Sequence, residues 1–149
     1  MFLLYIGVLL YVTLFAWNYG ASLGPEGPGG RNYNLMPFRS IYRIAVFSPD
    51  IRDPIRILLG NVILFIPFGF LMPLVFKPRA RSFLKVTALG MMVSISIELY
   101  QFLFTYRVAN VDDVILNTTG AAVGFCLFYI GHRLKKRIIV IPSNTKKPS

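Results

Sequence analysis

The stretch IRILLGNVILFIPFGFLMPLVF, from Ile55 to Phe76, carries one charged side chain, Arg56, in an otherwise apolar run. At about 1.5 Å of rise per residue, a helix of this length crosses a hydrocarbon layer about 30 Å thick. Three other apolar stretches qualify as spans: Met1–Trp17, Phe83–Phe104 and Val114–Gly131. The sequence therefore predicts an all-α membrane protein, a bundle of four transmembrane helices.

The composition supports a single membrane domain over residues 1–149. Hydrophobic residues make up 55% of the chain, and the mean hydropathy is +0.60. A soluble helical bundle of this size is the alternative, but its core cannot bury so many large side chains. The first stretch has no preceding basic residue and only a weak cleavage site near Gly20–Ser22, so a retained helix is favoured over a signal peptide.

The net charge of +10 does not indicate a nucleic-acid partner. The basic residues lie between and after the apolar runs and form no stripe with interleaved aromatics. Topology and lipid headgroups account for them better. The single cysteine, Cys126, excludes an intrachain disulfide and a cysteine-based metal site.

The basic residues also predict the orientation in the plasma membrane. With both termini in the cytoplasm, ten Lys and Arg residues lie inside and six lie outside. Six of the inner ones follow the last span, where residues 132–149 form a basic tail. The positive-inside bias therefore favours a multi-pass protein with both termini cytoplasmic.

The first outer loop, about Asn18 to Pro54, is predicted to hold a linker and a short helix. Gly20–Gly30 is rich in Gly and Pro and is typical of a flexible linker. The residues from Pro37 to Ala45 then show apolar positions at helical spacing opposite Arg39, Ser40 and Arg43. This pattern predicts an amphipathic helix in the outer interface. Asp53 and Pro54 are predicted as the cap and first residue of the second span.

Polar residues inside the spans share one depth. A polar group inside a membrane needs a partner and is a functional candidate by default. The outer third of the predicted bundle holds Asn61, Glu98, Gln101, Arg107, Asn110, Asp112, Asp113, Asn117, Thr118 and Thr119. A hydrogen-bond network that only holds the helices together is the alternative, and three carboxylates near one arginine weigh against it.

Helical spacing arranges these residues into two inward-facing stripes. Small residues in the fourth span predict that a neighbouring helix packs closely against the face that carries Asp113 and Asn117. The stripes consist of Ser94, Glu98, Gln101 and Thr105 on the third span, and of Asp113, Asn117, Gly120 and Gly124 on the fourth.

Four sequence blocks, in order and at familiar spacing, resemble the VanZ-like family of small bacterial membrane proteins. The resemblance runs from about Asn34 to Gly124. The blocks are Asn34-Leu35-Met36-Pro37-Phe38; Asn61 with Phe65-Ile66-Pro67-Phe68-Gly69; Glu98-x-x-Gln101; and Arg107 with Asp112-Asp113-x-x-x-Asn117-x-x-Gly120.

The resemblance implies a membrane location but no defined activity. The family's namesake is associated with resistance to the glycopeptide antibiotic teicoplanin, which does not establish resistance for this chain. Many similar proteins carry an aspartate where this chain has Asn110. A site that required an acidic residue at each of positions 110, 112 and 113 would be weakened in this chain.

Two functional hypotheses follow for the polar cluster, which is taken as Asn34, Arg39, Asn61, Glu98, Gln101, Arg107, Asp112, Asp113 and Asn117. The first is binding of a lipid-linked anionic envelope precursor or a lipoglycopeptide at the outer leaflet, with Arg39, Arg43 and Arg107 on its phosphate. The second is a metal-assisted hydrolase or transferase that holds magnesium through Glu98, Asp112 and Asp113.

A transporter is the weakest hypothesis, because the inner half of every span lacks titratable groups. No cofactor is evident beyond the possible divalent cation. Membrane lipid is the expected partner. Four short helices bury little surface, so a homo-oligomer or a larger membrane partner is also expected, without a residue that favours either.

Overall fold

The computed structural model describes residues 1–15, 33–48, 52–75, 82–104 and 108–139 and is mostly helical. Its helices are α1 (Phe2–Leu10), α2 (Arg39–Phe47), α3 (Arg52–Val75), α4 (Phe83–Phe104) and α5 (Val111–Ile139). A π-helical segment, Tyr11–Phe15, continues α1. Two short strands, β1 (Tyr33–Asn34) and β2 (Ala109–Asn110), pair in parallel.

Three helices, α3, α4 and α5, are long and apolar enough to cross a membrane. The first apolar helix is shorter in the described part of the chain, where it covers Phe2–Phe15. The structure thus supports a helical membrane protein with three long helices. The number of four spans stays a prediction.

Glycines set the contact between α3 and α5. A Cβ atom at Gly120 would overlap with the carbonyl oxygen of Val62, and one at Gly124 would overlap with that of Ile66. These contacts advance in the same direction along both helices, so α3 and α5 run parallel. These contacts confirm the close approach predicted for the Gly120-x-x-x-Gly124 face. Glycine is needed there because a larger side chain would keep the two backbones apart.

The first helix is part of the core. Leu9 is fully buried together with Phe65 and Phe68 of α3. The Tyr5 hydroxyl donates a hydrogen bond to the Leu64 carbonyl oxygen at 2.8 Å. Each contact ties α1 to α3, as expected of a helix that belongs to the folded bundle.

The predicted amphipathic helix forms as α2. Tyr42 and Phe47 are exposed, while Ser40 and Ile41 turn toward the rest of the protein. Phe38, which precedes the helix, adopts a left-handed conformation with φ of 64°. A membrane-interface position for α2 stays a prediction.

Two helices extend beyond the predicted ends of their spans. Helix α3 begins at Arg52, whereas the candidate membrane span within it begins at Pro54, as predicted. Pro54 is thus within the first helical turn, where a missing N–H costs nothing. The last helix continues past Gly131 to Ile139, so the basic tail begins as helix. The predicted linker, Thr105, Arg107 and residues 140–149 lie outside the described residues, as does the side chain of Asp53.

Candidate functional site

Polar side chains from α3, α4, α5 and the π-helical segment after α1 surround one small cavity, at the end of the bundle where α4 ends and α5 begins. This polar cavity measures about 20 Å³. It is lined by Thr13, Asn61, Leu64, Ile97, Glu98, Gln101, Asp113 and Asn117. Five of the nine predicted cluster residues therefore lie together, as the shared depth of the spans predicted.

Asp113 connects α5 to α3 at the wall of this cavity. Its Oδ1 accepts a hydrogen bond from Asn61 Nδ2 at 3.2 Å and another from Asn110 Nδ2 at 3.2 Å. Two carboxamides on different segments thus hold one carboxylate oxygen. The arrangement fixes the position of Asp113 relative to α3.

Glu98, which also lines the cavity, bonds to β2 directly before the start of α5. Its Oε2 accepts a hydrogen bond from the Asn110 backbone N–H at 2.7 Å, and the side chain is buried. Glu98 therefore has a structural role in addition to any role in binding.

Gln101 joins the end of α4 to the first helix. Its Nε2 donates a hydrogen bond to the Thr13 carbonyl oxygen at 2.8 Å. Sequence reasoning missed Thr13 as a residue of the site. The only available signal was a polar residue in the otherwise apolar first stretch.

Among the described residues, the Asn117 carboxamide is hydrogen-bonded through its nitrogen but not through its oxygen. Its Nδ2 donates a hydrogen bond to Ser94 Oγ at 2.8 Å. Its Oδ1 is buried and has no hydrogen-bond partner among the described residues. Both predicted stripes face inward as far as they are described, because Ser94, Glu98, Gln101 and Asn117 are all buried.

A second polar group, which we name the clasp, joins the first loop to the start of α5 and consists of Asn34, Ser40, Asn110 and Asp112. Asn110 Oδ1 accepts hydrogen bonds from Asn34 Nδ2 at 3.0 Å and from Ser40 Oγ at 3.2 Å. The pairing of β1 with β2 sets Asn34 beside Asn110. Asn110 is the centre of the clasp, because its side chain bonds to both Asn34 and Ser40.

Asp112 caps the N-terminus of α2 from another element. Its Oδ1 accepts from the Phe38 N–H at 2.5 Å, and its Oδ2 accepts from the N–H groups of Ser40 at 2.7 Å and Ile41 at 3.2 Å. Helix α2 has no side-chain cap of its own. A carboxylate is stabilised there by unpaired N–H groups and by the helix dipole.

The predicted arginines are not gathered at the polar cavity in the described structure. Arg39 and Arg43 are exposed on α2, and Arg39 Nη1 contacts Met36 Sδ at 3.8 Å. Arg107 lies outside the described residues. The described members of the cluster thus separate into the polar cavity, the clasp and the exposed Arg39 on α2.

A wide apolar groove runs beside these polar groups, between α4 and α5. It is open along one side and has a volume of about 670 Å³. Its walls include Tyr33, Leu35, Met91, Ile95, Leu99, Phe102, Val111, Val114 and Ile115. Glu98 and Asn110 also line it, so the groove reaches the polar end of the bundle. Sequence analysis did not predict this groove.

The predicted magnesium ligands do not form one site. The Asp112 oxygens accept three backbone N–H groups at the clasp, whereas Glu98 and Asp113 line the polar cavity. Among the residues that the structure describes, no group of three His, Cys, Asp or Glu side chains is arranged to hold a metal ion.

Comparison with known proteins bears on the resemblance seen in the sequence. The family model VanZ/LLP1 matches residues 2–132, which includes α1 through most of α5. The chain belongs to the VanZ/LLP1 family. The predicted family is thereby confirmed over nearly the whole chain.

A curated relative supports this membership. The chain is 31% identical over 130 residues to the protein named Protein VanZ of Enterococcus faecium. The alignment covers 87% of this chain and 72% of that protein. No solved structure matches the chain. Together with three long apolar helices, the match assigns this VanZ/LLP1 member to the membrane proteins.

Proposed function

We propose that this VanZ/LLP1 family member binds a lipid-linked anionic molecule of the cell envelope, or a lipoglycopeptide, from the outer leaflet of the plasma membrane. The apolar groove beside the clasp is the observation that carries the proposal. Its volume of about 670 Å³ falls within the ~300–1,000 Å³ range of small-molecule pockets. The acyl or prenyl chain of the ligand would lie in it.

The anionic head of the ligand would meet the arginines of the first loop. Tyr33 and Leu35 line the groove, and the same segment leads directly into α2, whose exposed face carries Arg39 and Arg43. Guanidinium groups bind phosphate through two parallel hydrogen bonds. The clasp would hold this segment at the mouth of the groove.

The proposed topology has four spans, with both termini in the cytoplasm and the clasp outside. Exposed Phe38, Tyr42 and Phe47 suit α2 to the outer membrane–water interface, where an amphipathic helix buries its apolar side. This placement would bring the arginines to the depth of lipid headgroups. A second copy of the chain or a larger membrane protein would be a further partner.

The test compares two ligands that differ only in the charged group. We expect the purified protein to bind a polyprenyl phosphate at least about tenfold more tightly than the matching polyprenol, a difference of about 1.4 kcal/mol. The Ile95→Trp variant fills the groove and should weaken binding of both lipids. Arg39→Ala should reduce only the preference for phosphate. Native mass spectrometry of detergent-solubilised protein measures each complex.

Leu127→Trp is the matched control, because Leu127 is exposed on α5 and does not line the groove. Its lipid binding should equal that of the unmodified protein. Equal binding of phosphate and alcohol, unaffected by Ile95→Trp, would mean that the groove holds only bulk lipid.

The same groove would accept the acyl chain of teicoplanin. Expression of the protein in a sensitive bacterium should then raise the teicoplanin concentration that stops growth. A glycopeptide without an acyl chain should show no such change. The Ile95→Trp variant should abolish the protection, while Leu127→Trp should retain it.

A metal-assisted hydrolase or transferase is the second function, favoured by the two carboxylates at the polar cavity. In that case Glu98→Gln and Asp113→Asn should each abolish a metal-dependent turnover of the lipid. Under the binding proposal both variants would keep phosphate binding by the arginines. Product formation from a radiolabelled polyprenyl pyrophosphate, with and without a chelator, separates the two functions.

A further inference from the structure

We propose that the polar cavity binds a single dehydrated hard cation, sodium or calcium, held by the Asn117 carboxamide oxygen together with the carboxylates of Glu98 and Asp113. Arg39 and Arg43 are exposed on α2 and do not line this cavity, although Glu98 lines both the cavity and the groove. This cation site goes beyond the lipid-binding proposal and does not depend on it.

The volume of the cavity limits how many water molecules a bound ion can keep. About 20 Å³ is room for one body of the size of a water molecule, which needs at least about 10–15 Å³. Magnesium keeps several of its waters in protein sites and would need more space. A bare sodium or calcium ion fits the volume, and both take oxygen ligands.

The unpaired oxygen of Asn117 points to a ligand. Asn117 is 4% exposed and lines the cavity, and its Nδ2 is bonded to Ser94. Its Oδ1 is buried without a hydrogen-bond partner among the described residues. A buried acceptor without a donor is costly, whereas carboxamide oxygens are ordinary ligands of hard cations.

The wall of the cavity presents the oxygen atoms that hard cations bind. Glu98 and Asp113 both line it, and carboxylate oxygens are ordinary ligands of sodium and calcium. Amides of Asn61 and Gln101 complete a wall rich in oxygen and without sulfur.

The experiment uses the full-length protein purified in detergent without added sodium or calcium. Addition of one of these two ions should raise its midpoint of thermal unfolding in a saturable way, because an ion that binds only the folded state stabilises it. Choline at equal ionic strength should not. Equilibrium binding of radioactive sodium and calcium should then give one ion per chain for the stabilising ion.

Variants locate the bound ion. Asn117→Ala should weaken its affinity by about tenfold or more, as the loss of even supporting partners does at metal sites. Thr119→Ala is the matched control on the same helix, since its hydroxyl is exposed and bonds to the Ile115 carbonyl oxygen. Its affinity should be unchanged.

Two results would overturn the proposal. One is the absence of bound sodium and calcium on the unmodified protein, which would assign the cavity to a water molecule. The other is binding that Asn117→Ala leaves intact, which would place the ion elsewhere. The binding measurement on the unmodified protein decides the first result even if the variant fails to fold. Neither result depends on whether the protein binds polyprenyl phosphate, so the failure of one proposal can be distinguished from the failure of the other.

Discussion

Asp112 accepts a hydrogen bond from the backbone N–H of Ser40 at 2.7 Å, so the first turn of α5 caps the first turn of α2. The two residues are 72 positions apart in the sequence. Asp112 is 1% exposed and carries two further backbone hydrogen bonds, from Phe38 and Ile41. A carboxylate that sequence reasoning assigned to ligand or metal binding therefore holds the first loop against the bundle.

Replacing Asp112 with Ala should lower the free energy of unfolding by about 2–4 kcal/mol, because three backbone donors lose their acceptor. Hydrogen exchange at the Phe38, Ser40 and Ile41 amides should accelerate in the same variant. Asp112→Asn should cost less, since one carboxamide oxygen remains. Unchanged amide exchange together with lost ligand binding would instead assign Asp112 a direct role at the ligand.

Gly124→Ala should destabilise the protein by about 2 kcal/mol or more, because the new methyl group overlaps with the Ile66 carbonyl oxygen and forces α3 away from α5. Gly131→Ala on the same helix is the control, since a Cβ there has nothing within 4 Å. It should leave the unfolding midpoint in detergent unchanged or slightly raised. Equal midpoints for the two variants would contradict the close contact.

Leu9→Ala should destabilise the folded protein by about 2 kcal/mol through the cavity that it leaves between α1 and α3. Leu3 is the matched position, because it lies on the same helix and is 83% exposed. Thermal unfolding of the two purified variants should differ by several degrees. If α1 were removed as a signal peptide, neither substitution would alter the mature protein.

A cysteine at Met36 should react with an impermeant thiol reagent in intact cells, in a Cys126→Ala background, if the clasp lies outside. Met36 is 61% exposed, which makes it a better probe than Asn110, which is 5% exposed and fixed by the clasp. A cysteine at Ser143 in the basic tail should stay unlabelled until the cells are permeabilised. The reverse pattern would invert the proposed topology.

Much of the candidate site was predictable because helical periodicity is local. The stripes Ser94–Glu98–Gln101 and Asp113–Asn117 face inward as their spacing indicated, and Asn61 reaches Asp113 from the expected depth. Thr13 was missed, because its contribution is a backbone carbonyl that meets Gln101 from a distant helix. No side-chain pattern encodes such a contact.

The sequence by itself determined that this is a helical membrane protein of the VanZ-like type, since apolar length, small-residue spacing and ordered motifs are properties of the chain alone. Only the tertiary structure decided which partners each acidic residue contacts. Asp112 and Asp113 are adjacent in sequence, yet successive positions on a helix point about 100° apart. One therefore caps α2 in the clasp, and the other lines the polar cavity.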